Sequence, residues 1–156
     1  MVSIITVNYN GLSDTCEMID SFLKNETYPY EIIVVDNGSQ SPQAEKIKKQ
    51  YPDKPQIKVV QNINNGFAGG NNAGLKVAEG DYLFFINNDA FITGPILKKL
   101  VHRLKERQNG GVSPMLKYGS NMNVIQFAGF TPLSPITLRN RMIGEREPDH
   151  GQYSSP

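Results

Sequence analysis

The stretch EIIVVDNGS, residues 31–39, joins a short run of β-branched residues to a polar, turn-forming end. Its apolar part does not alternate with polar residues, which is typical of a strand covered on both faces. Similar apolar runs occupy residues 2–7, 57–60 and 82–86. Because stretches with helical spacing separate these runs, the sequence predicts an α/β fold with an open, mostly parallel sheet and helices on both faces.

Four helices are predicted to connect or follow these strands. Asp14, with Glu17 three residues later, forms a capping-box pattern that predicts the start of the first helix, and Asn25 marks its end. The second and third helices are predicted over residues 43–50 and 70–78. The fourth is predicted over residues 95–107, because a proline at position 95 suits the first helical turn.

The alternation of apolar runs with stretches of helical spacing weakens after residue 110. We expect a fifth strand over residues 111–115 and one further strand over residues 124–130, and we assign no element from residue 131 onward. Residues 1–116 are therefore predicted to form the α/β core, and residues 117–156 an irregular extension of the same domain. Because this extension has no closing element, we expect the fold to be truncated at its C-terminus.

Length, composition and charge exclude several classes of protein. The chain has 156 residues, of which 38% are hydrophobic and 20% charged, as in one globular domain. A net charge of +1 argues against a general nucleic-acid binder. The single cysteine, Cys16, is expected in a helix core and favours a reducing, cytoplasmic setting. Residues 94–156 carry nine Lys and Arg against four Asp and Glu, so this half could face solvent, an anionic substrate or a membrane surface.

Polar residues follow each of the four predicted strands, at positions 8–11, 36–39, 62–70 and 87–89. In open parallel sheets, ligands bind outside the carboxyl ends of the strands. We therefore expect a ligand site at this edge. Because the run at residues 82–86 is the most apolar, we expect residues 87–89 to emerge at the centre of the edge.

Asp36 is the first candidate binding residue. Its carboxylate can accept hydrogen bonds from a ribose diol or a pyrimidine N–H, although an Asx turn with Gly38 explains the position equally well. A dinucleotide site would also place an acid here. Such a site requires three glycines after the first strand, where this chain has only Gly11, so the sequence does not favour NAD binding.

Two further segments have both a chemical and a structural interpretation. NNGFAGGNN, residues 64–72, could bring backbone N–H groups to a phosphate, or it could form a turn that needs positive φ. It lacks the lysine of a P-loop, so an NTPase of that type is not predicted. Asp89 could hold Mg²⁺ or Mn²⁺ whose other ligands are diphosphate oxygens, or it could be an N-cap for the turn before Pro95.

Taken together, VSIITVNYN at 2–10, EIIVVDNGS at 31–39, NGFAGGN at 65–71 and FINND at 85–89 resemble the family 2 glycosyltransferases of the GT-A fold. The likeness is strongest to the rhamnosyltransferase-like branch, in which the Asp-x-Asp metal motif often occurs as Asn-Asn-Asp. It implies inverting transfer of a sugar from a dTDP-, UDP- or GDP-sugar donor to a hydroxyl of a saccharide or lipid-linked acceptor, in bacterial cell-surface polysaccharide synthesis. Residues 1–116 would then form the donor-binding core, and residues 117–156 the start of the acceptor side.

The resemblance also implies site residues, which are Val7, Tyr9, Asp36, Gly66, Asn88 and Asp89. Val7, Tyr9 and Asp36 would hold the base and ribose, and Gly66 would border the nucleotide. Asn88 would approach the ribose or diphosphate. Asp89 would bind a divalent metal, Mg²⁺ or Mn²⁺, that bridges the diphosphate.

Two departures from the family pattern affect the expected activity. Asn71 stands where many relatives have an arginine that could reach the diphosphate. The general base of the family is a carboxylate in a segment that would follow residue 156, and none of Glu145, Glu147 and Asp149 matches its motif. We therefore expect this chain to bind a donor and to transfer no sugar on its own.

Other functions stay open from the sequence alone. One is a non-catalytic nucleotide-sugar binding module. Another is a related nucleotidyltransferase, although that class favours a basic Gly-rich loop after the first strand, where residues 8–11 hold no Lys or Arg. We expect a cytoplasmic protein that binds no nucleic acid, with peripheral contact at the inner face of the membrane and self-association into a homo-oligomer as further alternatives.

Overall fold

The computed structural model describes residues 1–107 and 110–154, which form two compact units. The first unit, Met1–Val101, contains a four-stranded sheet, and the second, His102–Pro156, contains two small antiparallel sheets. Among the helices in the described ranges, none is both long enough and apolar enough to cross a bilayer.

The sheet of the first unit is parallel throughout, as predicted. Its strands are β1 (Val2–Asn8), β2 (Tyr30–Asn37), β3 (Ile57–Asn62) and β4 (Tyr82–Phe85), in the order β3-β2-β1-β4. β1 and β2 are almost completely buried, whereas β4 is an edge strand in which Leu83 and Phe85 are exposed. The prediction that residues 87–89 emerge at the centre of the sheet is therefore wrong. An apolar strand need not be central, because half of its side chains can lie on an uncovered face.

Four helices accompany this sheet, namely α1 (Leu12–Asn25), α2 (Gln43–Gln50), α3 (Gly66–Leu75) and α4 (Leu97–Arg107). α2 has the predicted bounds. α1 begins at Leu12, with Gly11 at its N-cap and no side-chain cap, so the capping-box prediction for Asp14 is wrong. α3 begins four residues before the predicted start, and α4 begins two residues after it.

The helices cover both faces of the sheet, which confirms the predicted α/β architecture. On one face, Met18, Ile19 and Phe22 of α1 pack with Ile47 of α2 against the sheet. On the other face, α3 covers the strand residues Ile5, Ile33 and Val35. Its approach is very close, because a Cβ at Gly74 would lie 2.6 Å from Cγ2 of Ile5.

The second unit differs most from prediction. β5 (Leu116–Tyr118) pairs with β6 (Asn121–Phe127), and β7 (Gly129–Phe130) pairs with β8 (Met142–Ile143). No strand covers residues 111–115, where Gly111 and Pro114 disfavour a ladder. The single strand predicted over residues 124–130 is interrupted before Gly129, which has a φ of 132°. β8 lies in the segment to which the sequence assigned no element.

Candidate functional site

The loops that follow β1 and β2 are joined by hydrogen bonds at the carboxyl edge of the sheet. The backbone N–H of Asn10 donates to Oγ of Ser39 (3.0 Å), and the N–H of Gln40 donates back to Oδ1 of Asn10 (2.9 Å). Asn10 has a φ of 56°, a conformation that asparagine tolerates better than most residues. The segments after β1 and β2 therefore form one rigid rim beside Asn8 and Asp36, which are register neighbours.

Asp36 lies under this rim and is only 5% exposed. Oδ1 accepts hydrogen bonds from Nδ2 of Asn8 (3.1 Å) and from the hydroxyl of Ser39, and Oδ2 accepts one from the backbone N–H of Ala44 (3.1 Å). Ala44 lies in the first turn of α2, whose N-cap residue, Pro42, provides no side-chain cap. The carboxylate therefore caps α2 from the end of β2, an arrangement different from the Asx turn that the sequence left open.

An open cleft of about 310 Å³ adjoins Asp36. It is lined by Asp36, Gly38, Ser39, Gln40, Ser41, Pro42, Gln61 and Asn62. Asp36 is the charged residue of this lining, and the other polar groups are hydroxyls and amides. Such a lining can hold a polar planar group by hydrogen bonds from several directions.

Asparagines organise the segment that leads into α3. Nδ2 of Asn37 donates to the carbonyl of Gly66 (3.1 Å), and Nδ2 of Asn62 donates to Oδ1 of Asn37 (2.8 Å) and to Oδ1 of Asn65 (3.0 Å). Gly66 has a φ of 83°, as expected from the turn interpretation of this segment. Asn37, Asn62 and Asn65 belong to the polar strand ends at which the sequence predicts a ligand site, but the sequence did not indicate that they bond to one another.

The glycines that follow are not part of a loop. The predicted start of this helix is Gly70, whereas Gly69 and Gly70 both lie inside α3, which begins at Gly66. A Cβ at Gly70 would lie 2.8 Å from Cγ1 of Val7, and one at Gly69 would lie 2.2 Å from Oδ1 of Asn65. Gly70 therefore has little room for a side chain, because the helix lies directly against Val7, whereas at Gly69 the atom met is the end of the Asn65 side chain.

A turn over residues 87–90 follows β4, closed by a hydrogen bond from the N–H of Ala90 to the carbonyl of Asn87 (3.2 Å). Asn88 is half-buried, and its Nδ2 donates to Oγ1 of Thr15 (3.1 Å) and more weakly to the carbonyl of Gly11 (3.4 Å). Asp89 is exposed. The turn thus presents one carboxylate to solvent and ties the neighbouring side chain into α1.

The N-terminus of α4 is capped by an acid that is distant in the sequence. Oε2 of the buried Glu26 accepts the backbone N–H groups of Ile96 and Leu97, each at 2.9 Å, and Oε1 accepts those of Thr27 (2.8 Å) and Tyr28 (2.9 Å). Burial alone would raise the pKa of Glu26, but the four N–H donors outweigh it and hold the pKa below its usual value. The sequence contains no local signal for this cap, since 70 residues separate Glu26 from Ile96.

A second buried acid, Glu31, lies at the opposite end of the sheet. Its carboxylate accepts hydrogen bonds from the hydroxyl of Ser3 (2.6 Å) and the N–H of Glu79 (2.7 Å) and pairs with Lys58 (2.8 Å). Burial raises the pKa of Glu31, but the Lys58 ammonium and these hydrogen bonds bring it below its usual value. This cluster stabilises the amino ends of β1 and β2 and contributes nothing to the carboxyl edge.

The remaining candidates are placed as follows. Val7 packs against Gly70, and the side chain of Tyr9 is 51% exposed at the end of β1. In the tail, Asp149 pairs with Lys117 (2.5 Å), and Glu147 accepts the hydroxyl of Tyr153 (2.8 Å). Residues 1–107 and 110–154 contain no group of three or more His, Cys, Asp or Glu side chains that could hold a metal ion by themselves.

Comparison with known proteins identifies this fold as the GT-A fold. The crystal structure of residues 1–349 of Staphylococcus aureus TarS has a TM-score of 0.59 and 28% identity, over 72% of this chain and 38% of that one. A Pyrobaculum calidifontis mannosyltransferase, solved with GDP-Man and Mn²⁺, has a TM-score of 0.55 and 23% identity, over 60% of this chain and 28% of that one. At 23% identity, the likeness to the mannosyltransferase supports the fold alone.

The model of glycosyl transferase family 2 matches residues 3–152, and the chain belongs to this family. Two relatives with similar sequences are YwdF and TarS. YwdF of Bacillus subtilis, an uncharacterized glycosyltransferase, is 31% identical over 67% of this chain. The S. aureus poly(ribitol-phosphate) β-N-acetylglucosaminyltransferase TarS is 29% identical over 90% of it. The matched regions are 38% of YwdF and 25% of TarS, so the chain spans well under half of either relative.

Proposed function

We propose that this chain binds the nucleoside diphosphate sugar of a glycosyl transfer reaction at the carboxyl edge of its sheet. The observation that carries the proposal is the buried Asp36 carboxylate, which lines a polar cleft and connects by hydrogen bonds to the turn that holds Asp89. The edge thus combines an acceptor for a base or ribose with a carboxylate for a metal-bound diphosphate. A module that only binds nucleotide-sugar and a nucleotidyltransferase are the alternatives.

The nucleotide end of the site comprises Val7, Tyr9, Asp36 and Gly66. The backbone of Val7 and the exposed ring of Tyr9 would contact the base, and Asp36 would accept a hydrogen bond from the base or ribose. Oδ2 of Asp36 has capacity for this, because a carboxylate oxygen has two lone pairs and Ala44 occupies one of them. Gly66 would border the nucleotide at the start of α3, where Asn37 holds its carbonyl.

The residues at the metal end fit a divalent cation that takes most of its ligands from the substrate. Asp89 offers one exposed carboxylate, and Asn88 beside it is anchored to α1. Mg²⁺ and Mn²⁺ commonly bind one or two protein carboxylates together with substrate phosphates and water. A cation there would supply positive charge to the leaving diphosphate, the electrostatic contribution that such transfers need.

The acceptor is proposed from the names of relatives, and inversion from the resemblance to the family. TarS and a Bacillus spizizenii relative, 34% identical over 69% of this chain, are named for transfer to poly(ribitol-phosphate). We propose a bacterial cell-surface polymer, or a lipid-linked saccharide, as the acceptor of the longer enzyme, with inversion at the transferred sugar. The rhamnosyltransferase-like branch and the identity of the donor stay predictions.

Two of the three tail carboxylates, Asp149 and Glu147, are poor candidates for the general base. Asp149 is held by Lys117 and by the N–H of Gly151, and Glu147 accepts the hydroxyl of Tyr153. A base must reach the acceptor hydroxyl within hydrogen-bond distance, which these contacts oppose. We therefore retain the proposal that the base lies in another part of the longer enzyme.

Peripheral membrane contact has a specific candidate surface, the hairpin of residues 129–143. Backbone hydrogen bonds join Thr131 to Arg141 (3.0 Å) and Ser134 to Arg139 (2.9 Å), and the tip exposes Ile136 to 91%. Leu133 and Leu138 are also exposed. No Asp or Glu occurs between Glu106 and Glu145, so the two arginines give the hairpin an unopposed positive charge along its own sequence. Apolar residues beside arginines fit an anionic lipid surface.

Vesicle sedimentation tests this surface. Replacing both Ile136 and Leu138 with Ser should weaken binding to phosphatidylglycerol vesicles by roughly tenfold or more, because each buried side chain contributes about 1.5 to 3 kcal/mol. Ile63→Ser is the matched control, since Ile63 is 86% exposed outside the hairpin. Equal binding by all three proteins would refute the hairpin as the membrane contact.

The proposed function itself is tested by calorimetric titration with UDP, dTDP and GDP, with and without Mn²⁺. We expect one nucleotide to bind, more tightly with Mn²⁺, and Asp89→Asn to abolish the Mn²⁺ effect. Asp36→Asn should weaken binding by about tenfold to a hundredfold, as for a lost hydrogen bond to a charged group. Asp53→Asn, an exposed acid outside the site, is the control. If none of the three nucleotides binds, the proposal is wrong.

A further inference from the structure

A continuous chain of side-chain hydrogen bonds runs beneath the carboxyl edge of the sheet. Nδ2 of Asn88 donates to Oγ1 of Thr15 (3.1 Å), Oγ1 of Thr15 donates to Oδ1 of Asn8 (2.9 Å), and Nδ2 of Asn8 donates to Oδ1 of Asp36 (3.1 Å). Every donor in this chain faces the same direction, toward the carboxylate. Aligned hydrogen bonds in a buried environment polarise and strengthen one another.

Thr15 is the central member of this chain. It lies in the first turn of α1 with no exposed surface, and Asn8 is equally buried. Its hydroxyl accepts one hydrogen bond and donates another, which a methyl group at the same place could not do. Removal of the Thr15 hydroxyl would leave Oδ1, the buried side-chain oxygen of Asn8, without this hydrogen-bond donor.

A glycine near Thr15, Gly11, leaves room for the contact between Asn88 and Thr15. Gly11 precedes α1, and a Cβ at this position would lie 2.6 Å from Nδ2 of Asn88. Glycine thus leaves the space through which Asn88 reaches Thr15. Because Asn88 is tethered in this way, the turn over residues 87–90 has a defined position relative to α1. Asp89 is the next residue of that turn.

We propose that Thr15 is a positioning residue that couples the nucleotide end of the site, at Asp36, to the metal end, at Asp89. It touches neither ligand. This inference rests on the proposed function, because it assigns Asp36 and Asp89 to the two parts of one donor. It predicts that metal and nucleotide bind cooperatively and that this cooperativity depends on one buried hydroxyl.

The test compares Thr15→Val, which removes the hydroxyl at nearly constant volume, with Thr15→Ser, which retains it. The affinity for the best of UDP, dTDP and GDP is measured with and without Mn²⁺, and the ratio of the two affinities is the readout. We expect this ratio to fall by about tenfold in Thr15→Val and by less than about twofold in Thr15→Ser, as for residues that orient metal ligands. Binding of Mn²⁺ to the nucleotide-loaded protein, followed by its electron paramagnetic resonance signal, should weaken in parallel.

Thr6→Val is a matched control for the loss of a buried hydroxyl. Thr6 is as buried as Thr15, but its hydroxyl has no hydrogen-bond partner within the described part of the chain. We expect the ratio of its nucleotide affinities with and without Mn²⁺ to equal that of the parent protein. If Thr15→Val does not fold, Thr15→Ala removes the same hydroxyl and should lower the ratio by a similar factor.

Two outcomes would overturn the inference. A ratio unchanged in Thr15→Val, or in Thr15→Ala, means that the link does not couple the two ends; if both affinities have fallen by the same factor, Thr15 only supports the fold. If the parent protein binds none of the nucleotides, the proposed function is wrong and the inference is wrong with it, a result distinguishable from an unchanged ratio.

Discussion

The carboxylate of Asp36 accepts a hydrogen bond from the backbone N–H of Ala44 at 3.1 Å, so the last part of β2 caps the first turn of α2. The same carboxylate lines the cleft proposed for the nucleotide. Asp36 therefore has a structural role that exists without any ligand. Its substitution will change stability as well as binding, and the two effects need separate measurements.

Asp36→Ala should lower the free energy of unfolding by about 2 to 4 kcal/mol, because it removes a helix cap and leaves Asn8 with one acceptor fewer in a buried position. Urea denaturation at neutral pH measures this. Asp53→Ala, at an exposed position, should change the value by no more than about 0.5 kcal/mol. An Asp36→Ala protein as stable as the parent would show that the cap contributes nothing.

Glu26 predicts a pH dependence of stability. Its folded-state pKa is lowered, so its stabilisation is present above the unfolded value of about 4.3 and is lost as pH falls through the folded pKa. Glu26→Gln should cost about 1 to 3 kcal/mol at pH 7, because the amide replaces a charged acceptor of four N–H groups. The difference from the parent should shrink below about pH 4.

Urea denaturation at a series of pH values follows this difference. Glu17→Gln is the control, since Glu17 is exposed on α1. Glu31, which also has a lowered pKa, is present in all three proteins and contributes equally to each. A difference that stays constant down to about pH 3 would contradict the role assigned to the Glu26 carboxylate.

Gly74 should not tolerate even alanine. Alanine is favoured over glycine in a helix by about 0.8 to 1 kcal/mol, but its Cβ would lie 2.6 Å from Cγ2 of Ile5. We expect Gly74→Ala to destabilise the protein by about 1 to 3 kcal/mol, as in other overpacked cores. Asn72→Ala, at an exposed position of the same helix, should be neutral or slightly stabilising. Thermal unfolding compares the two, and a stabilised Gly74→Ala protein would exclude the close packing.

The chain alone should bind donor without transferring sugar. Of the three tail carboxylates, Asp149 and Glu147 already have partners, Lys117 and Tyr153, within the tail. Incubation with labelled UDP-, dTDP- and GDP-sugars and saccharide or lipid-linked acceptors tests this. Turnover near the typical enzyme rate of about 10 per second would show that a base lies within the chain, and Glu145→Gln would then be the first variant to make.

Much of the α/β core could be predicted because its signals are local. Each β-branched run at β1, β2 and β3, and the helical spacing of α2, is defined by residues a few positions apart, and the alternation of strands with helices favours parallel pairing. The polar residues at the carboxyl ends of the strands were predicted from the same pattern. The second unit was predicted poorly, since the two residues of β8 carry no periodicity and are defined only by their pairing with β7.

The sequence by itself determined the parallel sheet, the helices on both its faces, and the set of polar residues at its carboxyl edge. Only the tertiary structure decided how those residues are used. Asp36 caps α2, Glu26 caps α4, and Thr15 connects Asn88 to Asn8, through contacts between residues 7 to 73 positions apart in the chain. The physical reason is that a buried polar group must find a partner, and the partner is whichever donor or acceptor the packing of the helices brings within about 3 Å.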